Sequence, residues 1–247
     1  MIPKKIHFCW ISGDPYPPLI QHCIDSWHKY LPDYEFVLWD AKRVEVINCD
    51  WFLGAMEAKK YGSVADYVRF HALYHEGGIY LDADVEILKN FDDLLLLKSF
   101  IGFEQSGDLE AAVIGAKSHL DWIEYVLKQF QNTPFLDKKT GKMNLQPLPI
   151  TLNRLLSDYF QCKKNQFESL NSEQLHIFPK TYFSPKNYRT DKIEISEQTY
   201  AIHHFDAHWV KKNFKFKIKM LTHRFLIRVF GASCHQKICA WIQKINL

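Results

Sequence analysis

The 247-residue sequence has no apolar run near the ~18 residues needed to cross a bilayer. It has no Cys-x-x-Cys pair either, and its six cysteines are scattered, so we predict reduced thiols rather than a zinc site or disulfide framework. Ten glycines and ten prolines are too few for a collagen-like or low-complexity chain. Because no signal-peptide core follows Met1, we expect a cytoplasmic protein.

What remains is typical of a globular protein with one large core, since 47% of the residues are apolar and 15% aromatic. Acidic residues are absent from position 211 onward, where nine Lys or Arg occur, while the rest carries 22 basic against 28 acidic residues. Apolar residues recur there at helical spacing, as in Leu221, Phe225 and Val229. We expect residues 210–247 to be a basic amphipathic segment, which either binds an anionic membrane surface or packs on the body. No nucleic-acid-binding motif accompanies the lysines.

Strand and helix signals alternate along the first half of the chain. Strands are predicted at 5–11, 35–39, 79–81, 100–103 and 111–114, and helices at 19–30, 50–61, 63–76 and 151–160. Ser63 is the predicted N-cap of the third helix, and Gly77-Gly78 its stop. This order predicts an α/β fold with a mostly parallel central sheet flanked by helices.

Asp82 and Asp84 are the sharpest chemical signal, because they directly follow the apolar strand Ile79-Tyr80-Leu81. Ligands of open α/β sheets bind at such strand ends. On an extended chain the two carboxylates point the same way and repel unless a cation lies between them. Their position favours a Mg²⁺ or Mn²⁺ site over two solvated loop acids.

Asp66 and Arg69 lie three residues apart on the preceding predicted helix. Two interpretations are open for them. They form an ordinary intrahelical ion pair, or Arg69 donates to phosphate or sugar hydroxyls while Asp66 accepts from sugar hydroxyls.

The compound pattern resembles glycosyltransferase family 32, which includes bacterial capsular polysaccharide transferases and yeast initiating mannosyltransferases. More distantly it is similar to the glucosylating domain of large clostridial toxins. The resemblance rests on three stretches, which are 5–13, 63–84 and 201–209. The middle stretch contains Ser63-Val64-Ala65-Asp66-Tyr67-Val68-Arg69, followed by Gly77-Gly78-Ile79-Tyr80-Leu81-Asp82-Ala83-Asp84.

The resemblance implies a GT-A fold, a nucleotide-sugar donor and a divalent cation, Mn²⁺ or Mg²⁺. It implies that Trp10 stacks on the nucleobase, and that Asp66 and Arg69 hold the donor sugar. Asp84 would ligate the metal, with Asp82 contacting the sugar, the ribose or the metal. The other residues implied in donor binding are Ile11, Tyr80 and Trp209. From the late stretch we choose His204 as the metal contact, with His203 as the alternative, and leave the role of His208 open.

We therefore predict a GT-A domain at 1–209 that acts as a metal-dependent, retaining glycosyltransferase, with Asp82, Asp84 and Arg69 as its catalytic residues. The expected partners are a nucleotide-sugar donor, with a UDP-sugar favoured, and a surface polysaccharide or lipid-linked saccharide acceptor at the inner face of the plasma membrane. A metal-independent glycoside hydrolase would also use paired acids. A non-catalytic membrane-binding module is the other alternative.

Overall fold

The computed structural model describes residues 1–206, apart from 138, 164–166, 168–172 and 189. The strands are β1 Lys5–Cys9, β2 Glu35–Trp39, β3 Gly78–Leu81, β4 Val85–Ile87, β5 Ser99–Phe103, β6 Leu109–Ala116, β7 His176–Phe178 and β8 Ala201–His203. The α-helices are α1 Pro18–Tyr30, α2 Asp50–Glu57, α3 Tyr61–Glu76, α4 Asp121–Gln131, α5 Leu148–Tyr159 and α6 Lys180–Phe183. Within these residues no helix combines the length and the apolarity that crossing a membrane requires.

Six strands form the central sheet in the order β2-β1-β3-β6-β5-β7. β1 pairs in parallel with β2 and β3, and β5 pairs in parallel with β7. β6 runs antiparallel to both of its neighbours, β3 and β5. The predicted mostly parallel α/β sheet is confirmed, with one reversed strand at its centre. β4 and β8 form a separate two-stranded ribbon.

Two apolar clusters cover the faces of the sheet. One includes Tyr67, Phe70, Trp122 and Phe130, and thereby joins α3 and α4 to the sheet. The other includes Trp27, Phe91 and Phe183 and covers the opposite face. Since both faces are buried, β3, β5 and β6 have no exposed residue, in keeping with their nearly continuous apolar sequences.

The start of α3 differs from the prediction. The helix begins at Tyr61 after Lys60, so Ser63 lies inside its first turn and is not the N-cap. The amide of Val64 already donates to the carbonyl of Lys60. The helix predicted over 50–61 ends instead at Glu57, and the chain turns at Lys59, whose φ is +53°. At the other end Gly77, with φ of +66°, stops α3 as expected.

Candidate active site

The carboxylates of Asp82 and Asp84 come together through a turn rather than an extended strand. The amide of Asp82 still donates to the carbonyl of Ala112 on β6, and the amide of Val85 donates back to the carbonyl of Asp82 at 3.0 Å. The chain thus turns at the end of β3 and enters β4. The expected proximity is found, although strand alternation does not produce it.

His203 completes a cluster with these two acids. One possible ligand atom from each of Asp82, Asp84 and His203 lies within 4.8 Å of the others, and within the described residues no second group of this kind occurs. β8 pairs with β4 so that His203 lies opposite Val85, directly beside Asp84. Two carboxylates and an imidazole suit a divalent cation that accepts both oxygen and nitrogen, so the donor set fits Mn²⁺.

His204, which we chose from the sequence as the metal contact, faces elsewhere. Its Nε2 lies 2.9 Å from the Glu86 carboxylate. His203 is the last residue of β8, and His204 follows it with its ring against Glu86. The metal contact at His204 stays a prediction, and the structure brings His203, its stated alternative, to the two aspartates.

Glu110 on β6 orients His203. Its Oε2 lies 2.9 Å from Nδ1 of His203, while Nε2 of the same ring lies 3.5 Å from Asp84. Ala112 N–H donates to the other oxygen of Glu110. All three side chains are buried. Sequence reasoning missed Glu110, although a lone acid in the apolar stretch Leu109–Ala116 is itself a sign of a buried partner.

The charged side chains of this cluster shift the pKa values of His203 and Asp84. Burial opposes the charged imidazole, but the Glu110 and Asp84 carboxylates outweigh it and hold the pKa of His203 well above its usual range. Burial likewise opposes ionisation of Asp84, yet His203 and the amide of Asp206, which donates at 2.7 Å, lower the pKa of Asp84. Negative and positive charges alternate from Glu110 to Asp84.

Arg69 forms a second charged group beside the first. Its Nη2 lies 3.1 Å from Asp66 and 3.2 Å from Asp82, and its guanidinium lies over the Tyr80 ring at 4.8 Å. Burial disfavours the charged guanidinium, but Asp82 and Asp66 keep the pKa of Arg69 above its usual value. Arg69 is only 4% exposed, and its Nε has no hydrogen-bond partner among the described residues. The pair is thus more than an exposed intrahelical contact.

A cavity of about 250 Å³ opens over the two aspartates. Trp10 forms part of its wall, with Nε1 donating to the carbonyl of Asp14 and the ring packed edge-on against Tyr16. The expected donor-site residues Ile11, Tyr80 and Asp82 line it too. Asp66 lines instead a second cavity of about 190 Å³. Trp209, His208 and the predicted basic segment 210–247 lie outside the described residues.

Comparison with known proteins agrees with this geometry. Residues 17–101 match the family described as "Glycosyltransferase sugar-binding region containing DXD motif". The chain is 36% identical over 141 residues to Inositol phosphoceramide mannosyltransferase 3 of Schizosaccharomyces pombe, covering 54% of this chain and 37% of that protein. It is 34% identical over 108 residues to Mannosyl phosphorylinositol ceramide synthase SUR1 of Saccharomyces cerevisiae, covering 41% and 27%.

The solved structure of PaToxG Glycosyltransferase superposes with a TM-score of 0.52 at 20% identity, covering 68% of this chain and 71% of that one. The likeness supports the GT-A fold. The chain spans well under half the length of the two curated relatives.

Proposed function

We propose that this chain, which carries the DXD-containing sugar-binding region of a glycosyltransferase similar to family 32, transfers a hexose from a nucleotide sugar to a hydroxyl acceptor with the help of a divalent cation. The observation that carries the proposal is the cluster of Asp82, Asp84 and His203, of which the two aspartates line an open cavity. Such a cluster suits the diphosphate of a nucleotide sugar, because a divalent cation held by these residues would neutralise phosphate charge.

Asp84 and His203 are the proposed metal ligands, with Asp82 as a third, direct or through water. The cation, when bound, stabilises the negative charge that develops on the leaving diphosphate. Asp84 is prepared for this role by the amide of Asp206, which donates to its carboxylate at 2.7 Å and favours the ionised form. Glu110 holds the His203 ring so that Nε2 faces Asp84.

Arg69 and Asp66 are the proposed holders of the hexose. Arg69 is fixed by Asp82, by Asp66 and by the carbonyl of Ala111, so it is positioned before substrate arrives. Asp66 retains partial exposure toward the second cavity and can accept hydrogen bonds from sugar hydroxyls. No side chain is proposed as a covalent nucleophile. Instead the acceptor hydroxyl attacks C1 on the leaving-group face while the bond from C1 to the diphosphate oxygen breaks, the departing diphosphate takes the hydroxyl proton, and configuration is retained.

Trp10 is the proposed nucleobase contact. It lies on the cavity wall with Asp82 and Asp84, and its ring is only partly buried. We keep a UDP-sugar as the first donor to test and add GDP-mannose, because the names of two relatives include mannosyl transfer. A polysaccharide or lipid-linked saccharide at the inner face of the plasma membrane is the proposed acceptor.

A donor screen tests the function. Purified protein is incubated with single nucleotide sugars and Mn²⁺, and release of the nucleoside diphosphate is measured with and without EDTA. One donor should be hydrolysed and EDTA should stop the reaction. Hydrolysis that persists in EDTA would contradict the metal, and no hydrolysis of any donor, with no transfer to saccharide acceptors, would contradict the function.

Binding of the released nucleotide tests Trp10 separately. Trp10→Ala should weaken affinity for UDP or GDP by roughly 1–3 kcal/mol, the scale of base–aromatic stacking. Calorimetric titration measures this, with Tyr16→Leu as the control that removes only the neighbouring ring. Unchanged affinity together with a lower melting temperature would assign Trp10 to the core.

A further inference from the structure

Exposed apolar side chains concentrate in one short segment of the chain. Ten large hydrophobic residues are exposed among the described residues, and four of them fall between positions 136 and 150. The four are Leu136 (43% exposed), Met143 (42%), Leu145 (53%) and Ile150 (50%). Single exposed hydrophobics are ordinary on a protein surface, but a local group of them marks an interaction site.

Residues 135–137 and 139–145 form a small hairpin that holds three of these side chains, Leu136, Met143 and Leu145, in place. Phe135, at its base, is buried against Trp51 with ring centroids 5.1 Å apart. The amide of Asn144 donates to the carbonyl of Phe135, and Leu136 pairs with Met143 in an antiparallel bridge. Residues paired in this way project on the same face. Leu136 and Met143 are therefore neighbours on an anchored element.

The tip of the hairpin is cationic. Lys139 and Lys142 are exposed there. The nearby Asp137 carboxylate accepts hydrogen bonds from the amides of Lys139 and Thr140, which lower the pKa of Asp137 and fix the turn. The element thus combines apolar side chains with lysines beside them. Lysines next to an apolar surface are suited to an anionic lipid interface.

The hairpin borders the second cavity. Asn144 and Gln146 line that cavity, and so does Asp66. Asp66 is bound through Arg69 to Asp82, which lines the first cavity. A polar group in the second cavity is therefore separated from the proposed metal site only by the ion pairs that Arg69 forms with Asp66 and Asp82. The side-chain amides of Asn144 and Gln146 provide hydrogen-bond partners for the hydroxyls of such a group, while Asp66 remains the proposed contact of the donor hexose.

We infer that the hairpin of residues 135–137 and 139–145 docks onto an anionic bilayer and brings the second cavity to the polar head of a lipid-linked acceptor. The docking itself needs only the surface, whereas the acceptor role rests on the proposed function. Leu136, Met143 and Leu145 enter the interface while Lys139 and Lys142 meet lipid phosphates. This surface is distinct from residues 210–247, whose predicted membrane contact lies outside the described residues.

Hydrogen exchange of the full chain with vesicles locates the contact. The vesicles contain equal parts of phosphatidylglycerol and phosphatidylcholine, and pure phosphatidylcholine is the control. We expect slower exchange in peptides covering 135–145 with the anionic vesicles only. Protection confined to 210–247, or none at all, would overturn the inference.

Vesicle flotation of variants measures the contribution of the hairpin. The triple variant Leu136→Ser, Met143→Ser and Leu145→Ser should lower the partition coefficient at least ~10-fold, because each buried side chain contributes to partitioning. Lys139→Ala with Lys142→Ala should lower it roughly fivefold per lysine at low salt and much less at high salt. Val46→Ser with Leu96→Ser, at exposed apolar positions elsewhere, is the matched control and should change nothing.

Hydrolysis of the soluble donor separates the two proposals. The triple variant should hydrolyse donor like the parent chain, which also shows that it folds. A parent chain that floats with vesicles but hydrolyses no donor would retain the docking surface and contradict the proposed function. Equal flotation of the parent and the triple variant would contradict the docking surface, whatever the donor assay shows, and would leave a protein partner as the occupant.

Discussion

Two histidines that are neighbours in the sequence form two Glu–His pairs with the same separation and different surroundings. His203 and Glu110 lie 2.9 Å apart and are almost fully buried. His204 and Glu86 also lie 2.9 Å apart, but they are half-buried, and Glu86 is shared with the exposed His22 at 3.1 Å. Only the first pair has an acid of the Asp82–Asp84 turn on its far side.

The difference shows that the role of a Glu–His pair depends on the group that the free side of the imidazole faces. In the buried pair, Glu110 fixes one ring nitrogen and leaves the other facing Asp84, the arrangement by which outer carboxylates orient metal-binding histidines. In the half-buried pair, Glu86 contacts Nε2 of His204, the nitrogen that in His203 faces Asp84. The pair is also nearer to solvent, which screens its charges. Removing members of each pair should therefore have unequal effects.

The largest effect is expected when the acid that the buried pair faces is changed. Asp84→Asn should lower turnover in the donor assay at least ~100-fold, because a ligand charge for the cation is lost. The fold should persist, which circular dichroism can verify, with a lower melting temperature, because the charge that faces His203 and the Asp206 amide is lost. Near-normal turnover of Asp84→Asn would remove the site from the proposed mechanism.

A smaller loss is expected when the two histidines are exchanged for glutamine separately. His203→Gln should lower both turnover and Mn²⁺ affinity by about 10–100-fold, the range found when the coordination of a metal site is disturbed. His204→Gln should change either quantity less than about threefold, because its ring contacts Glu86 and not the proposed ligands, and such ion pairs contribute little. Equal losses in the two variants, or a larger loss in His204→Gln, would restore the assignment made from sequence.

Substitution of Glu110 and Glu86 should show the same contrast as substitution of the two histidines, with a smaller loss of Mn²⁺ affinity. Glu110→Gln keeps an oxygen that can accept from His203 Nδ1 but removes the charge, so Mn²⁺ affinity should fall about 10-fold. Electron paramagnetic resonance of bound Mn²⁺ reads this without any turnover. Glu86→Gln is the matched control and should bind Mn²⁺ like the parent chain. If Glu110→Gln binds Mn²⁺ normally, Glu110 supports only the stability of the core.

The α3–β3–turn segment was predictable because its signals are local. An apolar strand, two glycines and two acids follow one another within eight residues, and Gly77 has the positive φ that ends α3. The choice between His203 and His204 was not local. It depends on the register that sets His203 opposite Val85, and two distant segments decide that register.

Glu110 and the hairpin were missed for related reasons. Glu110 reaches His203 only because β6 runs antiparallel between β3 and β5, a reversal that the alternating strand and helix pattern does not predict. The hairpin has a single bridge between Leu136 and Met143, too short for a periodic strand signal. Its anchor is the packing of Phe135 on Trp51, about 80 positions away in the chain.

Asp66 provides the smallest expected effect, and it tests by contrast how His203 keeps Asp84 ionised. Asp66 lies beside Arg69 and Asp84 lies beside His203. Burial outweighs Arg69 and raises the pKa of Asp66 to about 6, whereas His203 lowers the pKa of Asp84. Between pH 4 and 6 the folded chain then binds more protons at Asp66 than the unfolded chain, whose carboxyl titrates near ~3.9. The contribution of Asp66 to the free energy of unfolding therefore falls as pH rises through this interval, by about 1–3 kcal/mol.

Asp66→Asn should remove that decline, which urea unfolding at several pH values can measure. Asp137→Asn is the control, because the pKa of Asp137 is lowered and its stabilisation is lost only below pH ~4. Parallel curves for the parent chain and Asp66→Asn between pH 4 and 6 would mean that Arg69 compensates Asp66 as fully as His203 compensates Asp84.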